Sequence, residues 1–171
     1  GFFNDVQVDN VPGTAPDQEV VKVAVTEAPT GSLSLGASYG ASTGLGLNIG
    51  FSERNFLGRG QALTVNVQTG TDNLDSKIAF VEPAFMGRNL AFGFAAGYAT
   101  VTQQNSNYDK TVISLSPSLG FAVSDLAVVR LSYSLASEDL SNVGVATVGS
   151  NSSAILTAES GSAVRSSVGF T

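Results

Sequence analysis

Residues 44–70 read "GLGLNIGFSERNFLGRGQALTVNVQTG". In the first part Leu45, Leu47, Ile49 and Phe51 alternate with Gly46, Asn48, Gly50 and Ser52. In the last part Leu63, Val65 and Val67 alternate with Thr64, Asn66 and Gln68. A period of two belongs to a pleated strand whose two faces meet different surroundings. The stretch between them, "FSERNFLGRGQ" (51–61), breaks the period with charges, an asparagine and two glycines. Glycine supplies the backbone angles a reversal needs. The segment therefore predicts a hairpin, turning through Asn55, Phe56, Leu57, Gly58, Arg59 and Gly60.

The same rule extends outward in both directions. Upstream, Leu33, Leu35, Ala37 and Tyr39 oppose Ser32, Ser34, Gly36 and Ser38. Downstream, Ile78 and Phe80 oppose Lys77, Ala79 and Val81, and Phe92 to Tyr98 alternate with Gly93, Ala95 and Gly97. Residues 113–121, 129–135 and 164–170 follow suit. This predicts eight strands of about nine to eleven residues, the length that crosses a bilayer at a tilt.

The less apolar face is not a water-facing Lys/Glu/Thr surface. It carries Gly, Ser, Ala and Asn, with Lys77, Arg130 and Arg165 spaced along it. Small residues suit a confined, partly polar lumen, and the apolar face then meets lipid. The three charges either tune an ion path or are structural charges in a wet lumen. On pattern alone a water-soluble sandwich remains the alternative; it requires Leu33, Leu47 and Val65 to be buried together. Tyr39, Tyr98, Tyr133, Phe51, Phe85 and Phe121 are expected near strand ends, as in an interfacial girdle.

The connections alternate in length. Tight turns are expected at 87–89 and 124–126, and longer loops at 102–110 and 137–162, the last starting with a solvated Glu138 and Asp139. Short turns on one side and long loops on the other are the periplasmic and extracellular ends of outer-membrane barrels. Parity puts the 57–60 turn on the short side, with Glu53 and Glu82 at matching places at headgroup level.

Composition agrees. Of 171 residues 43% are hydrophobic and 13% charged, with 19 glycines, and no apolar run approaches a membrane-spanning helix. This is an all-β chain. Net charge is −6, of which residues 1–27 carry −4 (five acids against Lys22) and the rest −2. No basic patch supports nucleic-acid binding, and the absence of Cys excludes disulfides and thiolate metal sites. "GFFNDVQVD" and "EVVKVAVTE" form two further strands, too few for a core, and "APTG" (28–31) links them to the alternating strands downstream. Starting at Gly rather than Met, the chain reads as a piece of something larger.

Catalytic patterns find no support. "GASYG" (36–40) matches a nucleophile elbow around Ser38, but that motif needs a helix after it and a His base, and the chain has no His. "GLGLNIG" lacks dinucleotide spacing, and "DNLD" (72–75) lacks the calcium-loop pattern. No enzyme activity, cofactor or metal is expected.

"FSERNFLGRGQ", after "PTGSLSLGASYG" and before "FVEPAF", resembles the barrel start of the BamA-type outer-membrane assembly proteins, whose POTRA domains precede a sixteen-stranded barrel. "GFFNDVQVD" and "VVKVAVTEAPTG" resemble the closing strands of the last POTRA domain. The resemblance covers essentially the whole chain; "NFLGRG" and "EPAF", the latter in the fourth barrel strand, are its most specific parts. It implies residues 1–27 as the end of a POTRA domain, 28–30 as linker, and 31–171 as the N-terminal eight strands of a transmembrane antiparallel β-barrel.

It also implies a function. Relatives receive unfolded β-barrel proteins and fold them into the Gram-negative outer membrane, with the N-terminal segment in the periplasm and accessory lipoproteins gathered by POTRA domains. The first barrel strand acts as an edge to which an incoming strand adds. Here that edge is Gly31, Ser32, Leu33, Ser34, Leu35, Gly36, Ala37, Ser38 and Tyr39. A translocation or two-partner secretion pore of similar build is the neighbouring reading, and a soluble β-rich adhesin the distant one. The family's closing strand and its Arg-Gly-Phe-type loop motif have no counterpart here; "VRSSVGF" (164–170) lies too early for the latter.

Overall fold

Strands with one apolar face satisfy their backbone groups by pairing edge to edge, and the chain does so in two separate sheets. The structure, a computed structural model, describes residues 2–15, 17–40, 44–103, 108–124, 127–143 and 161–171. Its contacts divide the chain into Gly1–Gly31 and Ser32–Thr171.

In the first unit β1 (Phe3–Pro12) pairs antiparallel with β2 (Glu19–Glu27). Val6 faces Val25, Val8 faces Val23, and Asp9 faces Lys22. The four valines share one side of the ribbon and all stay exposed. The hairpin has an apolar face without a core of its own.

The second unit holds eight strands: β3 (Gly31–Gly40), β4 (Gly44–Phe56), β5 (Gln61–Thr69), β6 (Asn73–Glu82), β7 (Leu90–Gln103), β8 (Tyr108–Ser124), β9 (Ala127–Ser141) and β10 (Gly161–Phe170). Each lies beside its sequence neighbours, so the order across the sheet is the order in the chain. The pairs documented from β4 to β10 are antiparallel. One row across the sheet runs Phe51, Val65, Ile78, Ala96, Leu115, Leu135, Ser166. The adjacent row, on the other face, runs Gly50, Asn66, Lys77, Gly97, Ser114, Ala136, Arg165. The pleat thus keeps the two faces distinct from β4 to β10.

Among the described residues no apolar side chain is buried. Leu33 is 67% and Leu47 48% exposed, so the joint burial demanded of a water-soluble sandwich is not seen. Such a face gains no stabilisation from leaving water until an apolar solvent covers it. The sheet is a segment of membrane-barrel wall, open at both edges among the described residues.

Three expectations need correction. Strands reach 13 to 17 residues in β4, β7, β8 and β9, beyond nine to eleven. Backbone groups at a hairpin end are cheaper paired than unpaired, so the ladders run on. For the same reason Glu138 and Asp139 belong to β9, opposite Val112 and Thr111, and do not open a loop. "EPAF" is not in a strand beyond Glu82; Pro83 cannot donate to the ladder, and the chain turns there through a short 3-10 segment, Phe85–Gly87. Of the long loop, residues 144–160 lie outside the described residues, as do 104–107 and 125–126 of the other connections.

Aromatic residues sort by rim more sharply than the girdle expectation. The eight phenylalanines from Phe51 onward all lie in the turn or half-strand nearest the 57–60 and 83–89 turns. Tyr39, Tyr98 and Tyr108 lie in the opposite half of their strands. Tyr133 falls near the middle of β9, not at its end.

Candidate functional site

The nine residues Gly31–Tyr39 fall in one strand, and that strand ends the sheet: β4 is its neighbour on one side, and among the described residues none lies on the other. An edge strand offers a row of N–H and C=O groups to any strand that approaches. Its side chains add little cohesion to the inner neighbour. Gly36 stands opposite Asn48, Ser38 opposite Gly46, and Ser34 opposite Gly50, where the Ser34 hydroxyl donates to the Gly50 carbonyl at 3.3 Å. Leu33, Leu35 and Tyr39 project from the other face and are exposed.

The turn Asn55–Gly60 is a built structure. The Asn55 amide donates to Glu53 Oε1 at 2.7 Å, and Asn55 Oδ1 accepts from the Gly60 amide at 2.7 Å. Gly58 N–H donates to the Asn55 carbonyl at 2.9 Å and Arg59 N–H to that of Phe56 at 3.3 Å. Leu57 (φ 58°) and Gly58 (φ 71°) are both left-handed.

The next turn on the same rim repeats it. Residues 53–63, "ERNFLGRGQAL", align with 82–92, "EPAFMGRNLAF", sharing Glu, Phe, Gly, Arg and Ala. The Ala84 amide donates to Glu82 Oε1 at 3.0 Å, Gly87 N–H to Ala84 at 2.9 Å, and Arg88 N–H to Phe85 at 3.2 Å. Met86 (φ 57°) and Gly87 (φ 69°) occupy the left-handed places. Register matches as well: Glu53 faces Leu63 and Glu82 faces Phe92. The two turns are linked by Gln61, buried at the foot of β5, whose amide donates to Glu82 Oε2. The duplication is hard to see in the sequence because Arg-Asn in one copy stands where Pro-Ala stands in the other. The shared Glu-x-x-Phe-x-Gly-Arg was the available signal.

Lys77, Arg130 and Arg165 share the small-residue face, but two of them are partnered. Lys77 pairs with Asp75 at 3.0 Å. Glu138 bridges Arg165 at 3.6 Å and Lys110 at 3.3 Å. Arg130 is tied through its backbone, which exchanges hydrogen bonds with Thr171. Ser38 lies within β3 with no helix after it, unlike a nucleophile elbow. Among the described residues no carboxylate cluster offers a metal site.

Comparison with known proteins places this geometry in a family. Residues 55–171 match the Omp85 superfamily domain. BamA, the outer membrane protein assembly factor of Neisseria meningitidis serogroup B, is 33% identical over 96 residues, covering 55% of this chain and 12% of that protein. BamA of Neorickettsia risticii is 25% identical over 146 residues, 84% of this chain and 19% of that protein. The chain thus spans less than a fifth of these relatives. The crystal structure of BamA from Haemophilus ducreyi lacking POTRA domains 1–3 aligns with 99% of this chain and 34% of its own, with a TM-score of 0.66 at 23% identity, a likeness of fold. With a matching domain over most of its length and a barrel-wall fold shared with a solved relative, the chain belongs to the Omp85 superfamily.

Proposed function

We propose that this chain supplies the entry strand and one rim of an outer-membrane protein assembly factor, in which β3 receives the terminal strand of an incoming β-barrel protein. The observation that carries the reading is the position of Gly31–Tyr39 at the edge of the sheet, held to β4 on its small-residue face largely by Gly, Ser and Asn. Main-chain hydrogen bonds give such an edge affinity without sequence preference. The relatives named above as assembly factors support it.

On this reading residues 1–27 close a POTRA domain in the periplasm, residues 31–171 lie in the Gram-negative outer membrane, and the 57–60 turn faces the periplasm. Unfolded barrel proteins are the substrates, and accessory periplasmic lipoproteins bind through POTRA domains. Substrate burial in lipid provides the driving force, so the role is not enzymatic and needs no cofactor.

These 171 residues contain no cysteine, so in a full-length protein with any cysteine elsewhere replaced, Ser34→Cys and Ser38→Cys each give a unique crosslinking point in outer-membrane vesicles. Crosslinks to a cysteine-bearing nascent barrel are expected to follow the substrate's terminal strand in register. Assembly that proceeds without crosslinks at 34 and 38, while cysteines placed instead in residues 1–27 or at Ser114 and Ser134 on the inner strands do crosslink, overturns the edge role and favours a secretion pore.

A further inference from the structure

The duplicated turns present something their backbone does not need. Leu57 and Met86 both adopt left-handed angles that favour glycine. Neither side chain is repaid by packing: Leu57 is 75% and Met86 81% exposed. Strain kept twice, at equivalent places, with the same kind of side chain left in the open, points to a surface those side chains meet.

The surroundings identify that surface. Phe85 of the second turn packs on Phe92, ring centroids 5.1 Å apart, and Phe92 belongs to the lipid-facing side of β7. That turn therefore lies against the apolar face. Hairpin centres two strands apart sit about 10 Å from one another, so the two apolar tips share one patch. Each tip is followed two residues later by an exposed arginine, Arg59 or Arg88, and Arg54 is exposed beside them. Arg59 lies within electrostatic reach of Glu82. The rim's carboxylates, Glu53 and Glu82, each accept a turn amide, and both turns keep their arginine side chains exposed. The opposite rim is of opposite character, with Asp72, Asp75, Asp109, Glu138 and Asp139 against Lys77 and Lys110.

We propose that the 53–60 and 82–89 turns form a paired phospholipid anchor: Leu57 and Met86 enter the boundary between headgroups and acyl chains, and Arg59 and Arg88 bind the phosphates beside them. Amphipathic tips of this kind place an apolar body in lipid and a cation at the phosphate layer. The anchor fixes the depth of the wall next to the β3 edge. It rests on the membrane-barrel fold and not on the assembly reading.

The test uses the full-length protein in phosphatidylcholine vesicles with and without phosphatidylglycerol. A fluorophore on Leu57→Cys or Met86→Cys is expected to be quenched several-fold more by a nitroxide near the lipid headgroup than the same label on Gln7→Cys in the exposed β1–β2 hairpin. Quenching at 57 and 86 by aqueous iodide alone, as at 7, overturns the anchor. In Arg59→Gln/Arg88→Gln, checked for folding by heat-modifiable gel migration, the preference for spin-labelled phosphatidylglycerol over phosphatidylcholine is expected to fall several-fold. The Lys/Lys variant is expected to keep most of it. Unchanged selectivity in the Gln/Gln protein overturns the phosphate assignment. Neither readout depends on substrate assembly, so failure of the Ser34 crosslinks leaves both intact.

Discussion

Gly50 is buried with Ser34 on one side and Asn66 on the other; a Cβ there meets Ser34 Oγ at 2.5 Å and Asn66 Oδ1 at 3.1 Å. The pairing recurs on the small-residue face: Gly46 with Ser38, Gly93 with Ser118, Gly97 with Ser114, and Gly169 with Ser132. In each the serine hydroxyl occupies the volume a side chain on the facing strand needs, and Ser34 and Ser132 also donate to the glycine carbonyl. The face is therefore close-fitted though its residues are small, and Gly and Ser there are partners and not filler. Gly50→Ala is expected to cost about 1 kcal/mol, because the Ser34 hydroxyl must rotate away from its acceptor. In a Ser34→Ala background the same substitution meets residue 34 only at its Cβ, at 3.9 Å, leaves the 3.1 Å approach to Asn66 Oδ1 as the one tight contact, and should cost less. Urea unfolding of the four proteins of this cycle in lipid vesicles measures the coupling; additive costs mean that the serine is not what excludes a side chain.

At the scale of elements, β10 pairs with β9 alone among the described residues, and beside the Ser162–Asp139 and Ser132–Gly169 hydrogen bonds Glu138 is its ionic side-chain tie. That carboxylate is only 16% exposed and meets Lys110 of β8 and Arg165 of β10 together. Glu138→Gln leaves both cations without it. Because Arg165 is largely exposed, the cost should be at most about 1 kcal/mol, shrinking as salt is raised. The expected reading is several-fold faster hydrogen exchange of the β10 amides at low salt, with β4–β6 unchanged; equal exchange in both proteins makes the bridge idle. This tie also shows where the sequence stopped being legible. The period of two is local, so the faces of Leu45–Phe51 or Leu63–Val67 could be read directly, as could the 55–60 reversal. Strand ends are set by what the neighbouring strand offers. Ser137 to Ser141 look like loop residues, yet they pair because β8 runs beside them. The edge status of β3 came from resemblance, since nothing in Gly31–Tyr39 itself states which strands are beside it.

For the whole molecule the deciding quantity is which solvent each face meets. A sheet with no buried apolar side chain among its described residues can fold only where its apolar face finds lipid or another protein surface. Two adjacent residues in the middle of β8 separate these solvents. Leu115 faces Ala96 and Leu135 in the apolar row, while Ser116 lies on the other face and donates to Ser134 Oγ at 3.2 Å. A lysine on the lipid face near the bilayer midplane costs about 2–4 kcal/mol, whereas a wet lumen tolerates it. Leu115→Lys is therefore expected to lower the stability of the full-length protein in vesicles by that amount. Ser116→Lys should lose no more than about 1 kcal/mol, for its hydrogen bond. Unfolding midpoints in urea, taken in thin-bilayer vesicles, give the comparison directly. The reverse order would mean that the apolar face turns inward and the small-residue face outward. Neither a substrate strand at β3 nor a phospholipid anchor at Leu57 and Met86 would then have the bilayer beside it that both roles require.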